Sequence, residues 1–274
     1  MYEAYWQLQR RPFEASVDSR SYYPSEVHQG ALLRLCYALE NRLSAALIVG
    51  PSGLGKTLLV QQLEQQLPAH CQPFAHLVFP QMPADQLLAY LVGELTGAPL
   101  DNTPTIEQSV RRLQTCLIEN ARIGKHAVVV IDEAHLLRDP EVLEAVRLLM
   151  NFQHAGQPVV TLLLVGLPGL LSTLQRMPEL EDRIDVKCVL PRFTLEQTMA
   201  YVSHRLHAAG ASRTIFETDA WEALQDASQG VPRRINRLAD LALLVGFAEE
   251  LPSLGAAQIE AVADELLIKS SHEI

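Results

Sequence analysis

The chain has 274 residues, of which 48% are apolar and 20% charged. That length suits one large domain with a sizeable core, or one with a small domain appended. The formal net charge of −10 excludes non-specific coating of nucleic acid or anionic lipid, because phosphate binding needs clustered Lys and Arg, although a local basic patch stays compatible with it.

The opening residues Met1-Tyr2-Glu3-Ala4-Tyr5-Trp6 lack the basic head and apolar run of a signal peptide. The first thirty or so residues read as irregular and aromatic, with Tyr5, Trp6, Phe13, Tyr22 and Tyr23. An apolar-periodic helix is predicted from Glu26 to Asn41. Short apolar, strand-like runs then follow at Ala45–Val49, Phe74–Phe79, Ala127–Ile131, Val159–Val165 and Val186–Leu190. Amphipathic helices are predicted between them, at Lys56–Gln66, Ala84–Leu95, Ile106–Ile123 and Pro140–Asn151. Strands alternating with helices imply a parallel sheet, and buried parallel strands read as continuous apolar runs, as these do. The longest apolar stretch, Pro158 to Leu171, is broken by Gly166, Pro168 and Gly169 and is too short to cross a bilayer. Cys36, Cys71, Cys116 and Cys188 are widely spaced and form no CxxC pair, so they read as free thiols in a reducing compartment. A cytoplasmic protein is therefore expected.

The pattern changes after Pro191. Thr194-Leu195-Glu196-Gln197 fits a capping box. Only helices are predicted beyond it, at Leu195–Ala209, Asp219–Ser228, Pro232–Phe247 and Ala256–Leu267. The expected organisation is an aromatic segment and first helix over residues 1–43, packed on the core. An α/β core over 44–192 and a helical domain over 193–274 follow.

Gly50-Pro51-Ser52-Gly53-Leu54-Gly55-Lys56-Thr57 matches GxxxxGK[ST] in full, between a strand and a helix. Leu58 continues that helix. Glycines let successive N–H groups curl around one anion, and the helix N-terminus adds partial positive charge. Lys56 can reach the terminal phosphates of a nucleotide, and the Thr57 hydroxyl is a hard ligand for Mg²⁺. ATP with Mg²⁺ is the expected ligand. The run Ala127–Ile131 ends in Asp132 and Glu133. Two acids closing a buried strand are costly unless used. Asp132 is expected on the metal side, from a strand neighbouring the loop strand, and Glu133 as general base toward water. His135, which completes a DEAH tetrapeptide, is expected to pack or hydrogen-bond. His204 and His207 are expected at the surface, and Trp221 in the core of the helical region.

This arrangement resembles the AAA+ ATPase superfamily. The resemblance extends to its ExeA/GspA-like branch, which takes in MshM-type pilus-biogenesis proteins and is related to TniB- and MuB-type transposition ATPases. Tyr5-Trp6-Gln7-Leu8, Arg11-Pro12-Phe13, Tyr22-Tyr23-Pro24-Ser25 and the helix with His28, Leu32, Leu35, Tyr37 and Leu39 resemble that branch's opening. The resemblance implies a three-layer P-loop NTPase core followed by an all-helical lid. It implies that Arg183, in Glu181-Asp182-Arg183-Ile184, is an arginine finger acting on a neighbouring subunit. Arg233, in Gly230-Val231-Pro232-Arg233, is implied to be a lid arginine sensing the nucleotide, with Arg234 and Arg237 on the same helix. The chain departs from the pattern at Gly166-Leu167-Pro168, where relatives place a polar side chain and Leu167 has none. Asn151 or Thr161 is then a candidate substitute, or hydrolysis is slow. Secretion-type members continue into a membrane helix and a periplasmic cell-wall-binding domain, whereas this chain resembles the stand-alone forms, so neither direct cell-wall contact nor direct membrane insertion is expected.

Three readings follow. The first is an ATPase that drives or regulates assembly of a secretion or type IV pilus-like system. It would form a ring or filament on ATP binding and be recruited to the inner membrane by a partner. The second is a DNA-binding ATPase selecting transposition targets, with Arg233, Arg234 and Arg237 as its basic patch. The third is a nucleotide-gated scaffold with little turnover.

Overall fold

The structure is a computed structural model. It describes residues 1–14, 23–97 and 104–270. Tyr22, named in the opening pattern, lies outside the described residues.

The chain divides into two compact units. The first comprises Val27–Pro51 and Lys56–Leu190. Its chain runs through α1 (Glu26–Glu40), β1 (Ala45–Val49), α2 (Lys56–Gln66), β2 (Phe74–Leu77), α3 (Ala84–Thr96) and α4 (Ile106–Arg122). It continues with β3 (Ala127–Ile131), α5 (Pro140–Leu149), β4 (Gln153–His154), β5 (Gln157–Pro158) and β6 (Val160–Gly166). It closes with α6 (Gly169–Gln175), α7 (Pro178–Glu181) and β7 (Ile184–Val189). Five strands form one parallel sheet in the order β2-β3-β6-β1-β7. Every residue of β1, β3 and β6 is buried, as expected where helices cover both faces of a sheet. Leu87, Leu91, Leu113, Val142, Val146 and Leu170 supply the helical side of that core.

The predicted strands and helices reappear within a few residues of their expected ends. The short antiparallel pair β4–β5, a 3₁₀ turn at Ala134–Leu136, and α6 and α7 are additions to the expected elements. Each is too short to show a period in the sequence.

The second unit comprises Met1–Glu26, Ser52–Gly55 and Pro191–Ile274. Its helices are α8 (Leu195–Ala208), α9 (Thr218–Ser228), α10 (Pro232–Ala248) and α11 (Ala256–Ser270). Thr194 and Gln197 form the anticipated capping box. In the first unit, Thr105 and Gln108 form a second one at the start of α4.

The N-terminal segment differs from expectation. Tyr2, Trp6, Leu8 and Phe13 are buried with Val202, Ile235, Leu238 and Leu243 of the helical unit, not in the α/β core. Trp6 is fully buried, and its indole N–H donates to Leu243 O at 2.9 Å. Tyr5 donates to Leu251 O at 2.7 Å. The buried Arg205 donates to Pro12 O at 2.6 Å and to Glu14 O at 3.0 Å. These partners all satisfy groups that burial would otherwise leave unpaired. His204 also departs from a plain surface position: its ring packs 5.3 Å from that of Tyr23. Trp221 is partly buried, 5.5 Å from Phe216.

Candidate functional site

All five parallel strands end on the same edge of the sheet, the edge where open α/β folds place their ligands. β1 delivers Gly50 and Pro51 there, β3 delivers Asp132 and Glu133, and β6 delivers Gly166 and Leu167.

The loop after β1 turns on two glycines in the left-handed region, Gly53 at φ 84° and Gly55 at φ 85°. Side chains there would be strained. Lys56 is buried, and its ammonium donates to Gly50 O at 2.9 Å and Pro51 O at 3.0 Å. The side chain thus folds back over its own loop. Leu54 is buried, while Ser52 is exposed.

Thr57, on the first turn of α2, donates its hydroxyl to Asp132 Oδ2 at 2.7 Å. The strand that carries Asp132 is not adjacent to the loop strand, contrary to expectation, because β6 lies between β1 and β3. Strand spacing alone would hold their ends roughly 9–10 Å apart, and the first turn of α2 brings Thr57 to Asp132. Burial works against the charge on Asp132. Contact with His76, the Thr57 hydroxyl and the Glu133 N–H outweigh it and hold the carboxyl below its ordinary value. The Glu133 N–H donates to Asp132 Oδ1 at 2.8 Å. His76 Nε2 stands 3.7 Å from Asp132 Oδ2, an ion-pair distance beyond hydrogen-bond length. Sequence reasoning misses His76, because only the β2–β3 register, His76 against Val130, brings it near Asp132.

Glu133 has φ 51°, a left-handed conformation that a residue with a Cβ adopts at a cost of about 1–3 kcal/mol. It faces His135, whose Nδ1 is 3.3 Å from Glu133 Oε2. The Glu133 side chain is 49% exposed, so it can meet solvent or a ligand.

Of the two candidate substitutes for a polar group at Leu167, Thr161 is excluded by position. Thr161 is fully buried near the start of β6, opposite Val128, and its hydroxyl donates to Leu43 O at 2.6 Å. It lies at the other end of the strand from Leu167. Asn151 is exposed in the turn after α5.

Arg183 immediately precedes β7, whose first residue pairs with Ala45, the first residue of β1. Arg183 is therefore at the opposite end of the strands from the loop. Arg233 belongs with the loop tip. In the helical unit, its N–H donates to Gly53 O at 3.2 Å and its guanidinium reaches Ser52 Oγ at 3.4 Å. A Cβ at Gly53 would come within 2.9 Å of Arg233 Cβ. Arg234 and Arg237 are exposed on the same helix.

The donor set fits a nucleotide with a hard cation. Loop N–H groups and Lys56 suit an anion, and the Thr57 hydroxyl and ionised Asp132 are oxygen donors of the kind Mg²⁺ takes. Among the described residues no group of three His, Cys, Asp or Glu forms a metal cluster, and the four cysteines are free. No described helix is long and apolar enough to cross a membrane.

Residues 41–174 match the AAA domain family. The chain is 33% identical over 275 residues to general secretion pathway protein A of Aeromonas hydrophila. The match covers 97% of this chain and 50% of that protein, so the chain spans about half the length of the curated relative. Among solved structures, the ORC2 protein of Aeropyrum pernix superimposes with a TM-score of 0.67 at 19% identity, covering 94% of this chain and 72% of that one. Drosophila ORC bound to DNA gives 0.70 at 17%, covering 96% and 66%. The RuvB branch migration motor of Thermotoga maritima gives 0.58 at 20%, covering 93% and 73%. At these identities the structural matches establish the fold. Residues 41–174 therefore match an AAA domain within a P-loop α/β fold, and over nearly its whole length the chain is similar to about half of general secretion pathway protein A.

Proposed function

We propose that this chain binds ATP with Mg²⁺ and hydrolyses it to drive or regulate assembly of a secretion or type IV pilus-like system. The observation that carries the catalytic half is the Thr57–Asp132 contact of 2.7 Å beside Glu133. Bound ATP–Mg²⁺ supplies the reactive phosphoryl group and its counter-cation. In this reading Lys56 swings from its two carbonyls to the terminal phosphates. Thr57 and Asp132 would hold the cation through their oxygens. Glu133 orients water and takes its proton. Arg233 closes on the phosphates from the loop tip. Arg183, remote from its own loop, serves a second copy of the chain. The pathway half rests on the relative's name, general secretion pathway protein A.

The exposed Arg234 and Arg237 beside Arg233 favour a second reading, in which duplex DNA is the partner. ATP turnover measured against protein concentration, with and without duplex DNA, separates the readings. Turnover that rises with concentration, ignores DNA and is lost in Lys56→Ala and Glu133→Gln supports the first. Strong stimulation by DNA that fades as salt rises supports the second. Nucleotide binding without turnover leaves a gated scaffold and overturns hydrolysis.

A further inference from the structure

Leu167 removes the polar side chain expected after β6, yet the space beside it holds an imidazole. His135 Nδ1 is 3.5 Å from the Leu167 N–H and 3.3 Å from Glu133 Oε2. The side chain is only 18% exposed. Its backbone is fixed by the 3₁₀ turn, with Leu136 N–H to Glu133 O at 2.8 Å and Leu137 N–H to Ala134 O at 3.1 Å. Gly166 lets the turn approach β6: a Cβ there would lie 3.1 Å from His135 N and 3.5 Å from His135 Cβ. The opposite face of this junction reaches the phosphate loop, since the Gly50 N–H donates to Gly166 O at 3.3 Å.

One nitrogen faces two partners of opposite kind. With a lone pair, Nδ1 accepts from Leu167 N–H and leaves Glu133 unheld. With a proton, Nδ1 donates to the Glu133 carboxylate and fixes its direction. It cannot do both at once.

We infer that His135 is a positioning residue for Glu133, taking the role that the side chain at 167 does not fill, with the Leu167 N–H as its alternative partner. This rests on the proposal that Glu133 activates water.

The test compares His135→Leu, which keeps the volume, with His135→Asn, whose amide can stand where Nδ1 stands. His135→Leu should lower kcat on the order of 10- to 100-fold while KM and fluorescent-nucleotide affinity hold. His135→Asn should recover most of the loss. Adding Leu167→Asn to His135→Leu should also restore turnover. Full activity in His135→Leu, or equal loss in His135→Asn, overturns the inference. A second readout needs no turnover. The imidazole ¹⁵N resonances of His135 in nucleotide-free protein, assigned by their absence in His135→Asn, should shift in Glu133→Ala. No shift overturns the contact itself. Absence of turnover in the unsubstituted chain would instead overturn the hydrolase reading, which the Lys56→Ala control identifies separately.

Discussion

The hydroxyl of Thr57 and a carboxylate oxygen of Asp132 lie 2.7 Å apart across 75 residues of sequence and one intervening strand. Each is a poor neighbour for bulk apolar packing and a good ligand for a hard cation. Thr57→Ala and Asp132→Asn should each weaken the Mg²⁺ dependence of nucleotide binding, measured by titration calorimetry with and without EDTA. Asp132→Asn should leave the melting temperature within a few degrees, because its neighbours can still hydrogen-bond an amide. Mg²⁺ dependence unchanged in both would remove these residues from the cation site.

Arg183 and the loop occupy opposite ends of β7 and β1. Arg183→Ala should therefore abolish turnover, on the order of 10³-fold, without changing nucleotide affinity. Mixing it with Glu133→Gln, inactive for a different reason, should recover activity at interfaces where an intact Arg183 meets an intact Glu133. A mixture no more active than its parts would exclude action on a neighbouring copy.

Trp6 holds the N-terminal segment in the helical unit. Trp6→Ala should cost roughly 3–5 kcal/mol of stability, read by denaturant unfolding. Gly246 on α10 is small for the same reason, since a Cβ there would lie 2.8 Å from Trp6 Cζ2 and 2.5 Å from Leu254 Cδ2. Gly246→Ala should be clearly destabilising in the parent chain and less so beside Trp6→Ala. Additive losses would show that the two do not share a packing site.

His126 provides a pH signature. Thr161 commits its only proton to Leu43 O, so the 2.8 Å contact requires His126 to donate through Nε2–H. Burial, first, and then the nearby Arg42 and His70 push its pKa down from 6.5 to about 4. The unfolded chain therefore binds this proton near pH 6.5 and the folded chain only near pH 4. Stability from the neutral ring is complete above pH 6.5 and is lost as pH falls toward 4, up to about 3 kcal/mol. The stability of His126→Gln should depend less on pH across that window. Identical slopes for the two chains would refute the assignment.

Gly230 has φ 64°, and a Cβ there would stand 2.1 Å from Phe193 O. The Phe193 N–H in turn donates to Gly230 O at 2.9 Å. Gly230→Ala must break this pair, so it should lower the melting temperature by several degrees. It should also perturb the start of α10, where Arg233 stands. An unchanged melting temperature would mean the backbone relaxes freely.

Local chemistry makes much of this protein legible in its sequence alone. GxxxxGK[ST] is contiguous, so the backbone conformation, the anion cradle and the helix that follows are written within eight residues. The apolar runs at Ala45–Val49 and Ala127–Ile131 are buried on both faces, which leaves them no polar alternation to confuse. Thr194 and Gln197 meet within one helical turn. Tertiary structure decided what depends on register and on contacts far apart in sequence. The sheet order that inserts β6 between β1 and β3 is one such feature, and the approach of His76 to Asp132 is another. The burial of Trp6 against α10, more than 230 residues away, is a third. The turn that sets His135 between Glu133 and Leu167 is the fourth. An apolar or imidazole side chain has the same local preferences wherever it ends up. Only the packed sheet edge determines whether it fills a core or faces a carboxylate.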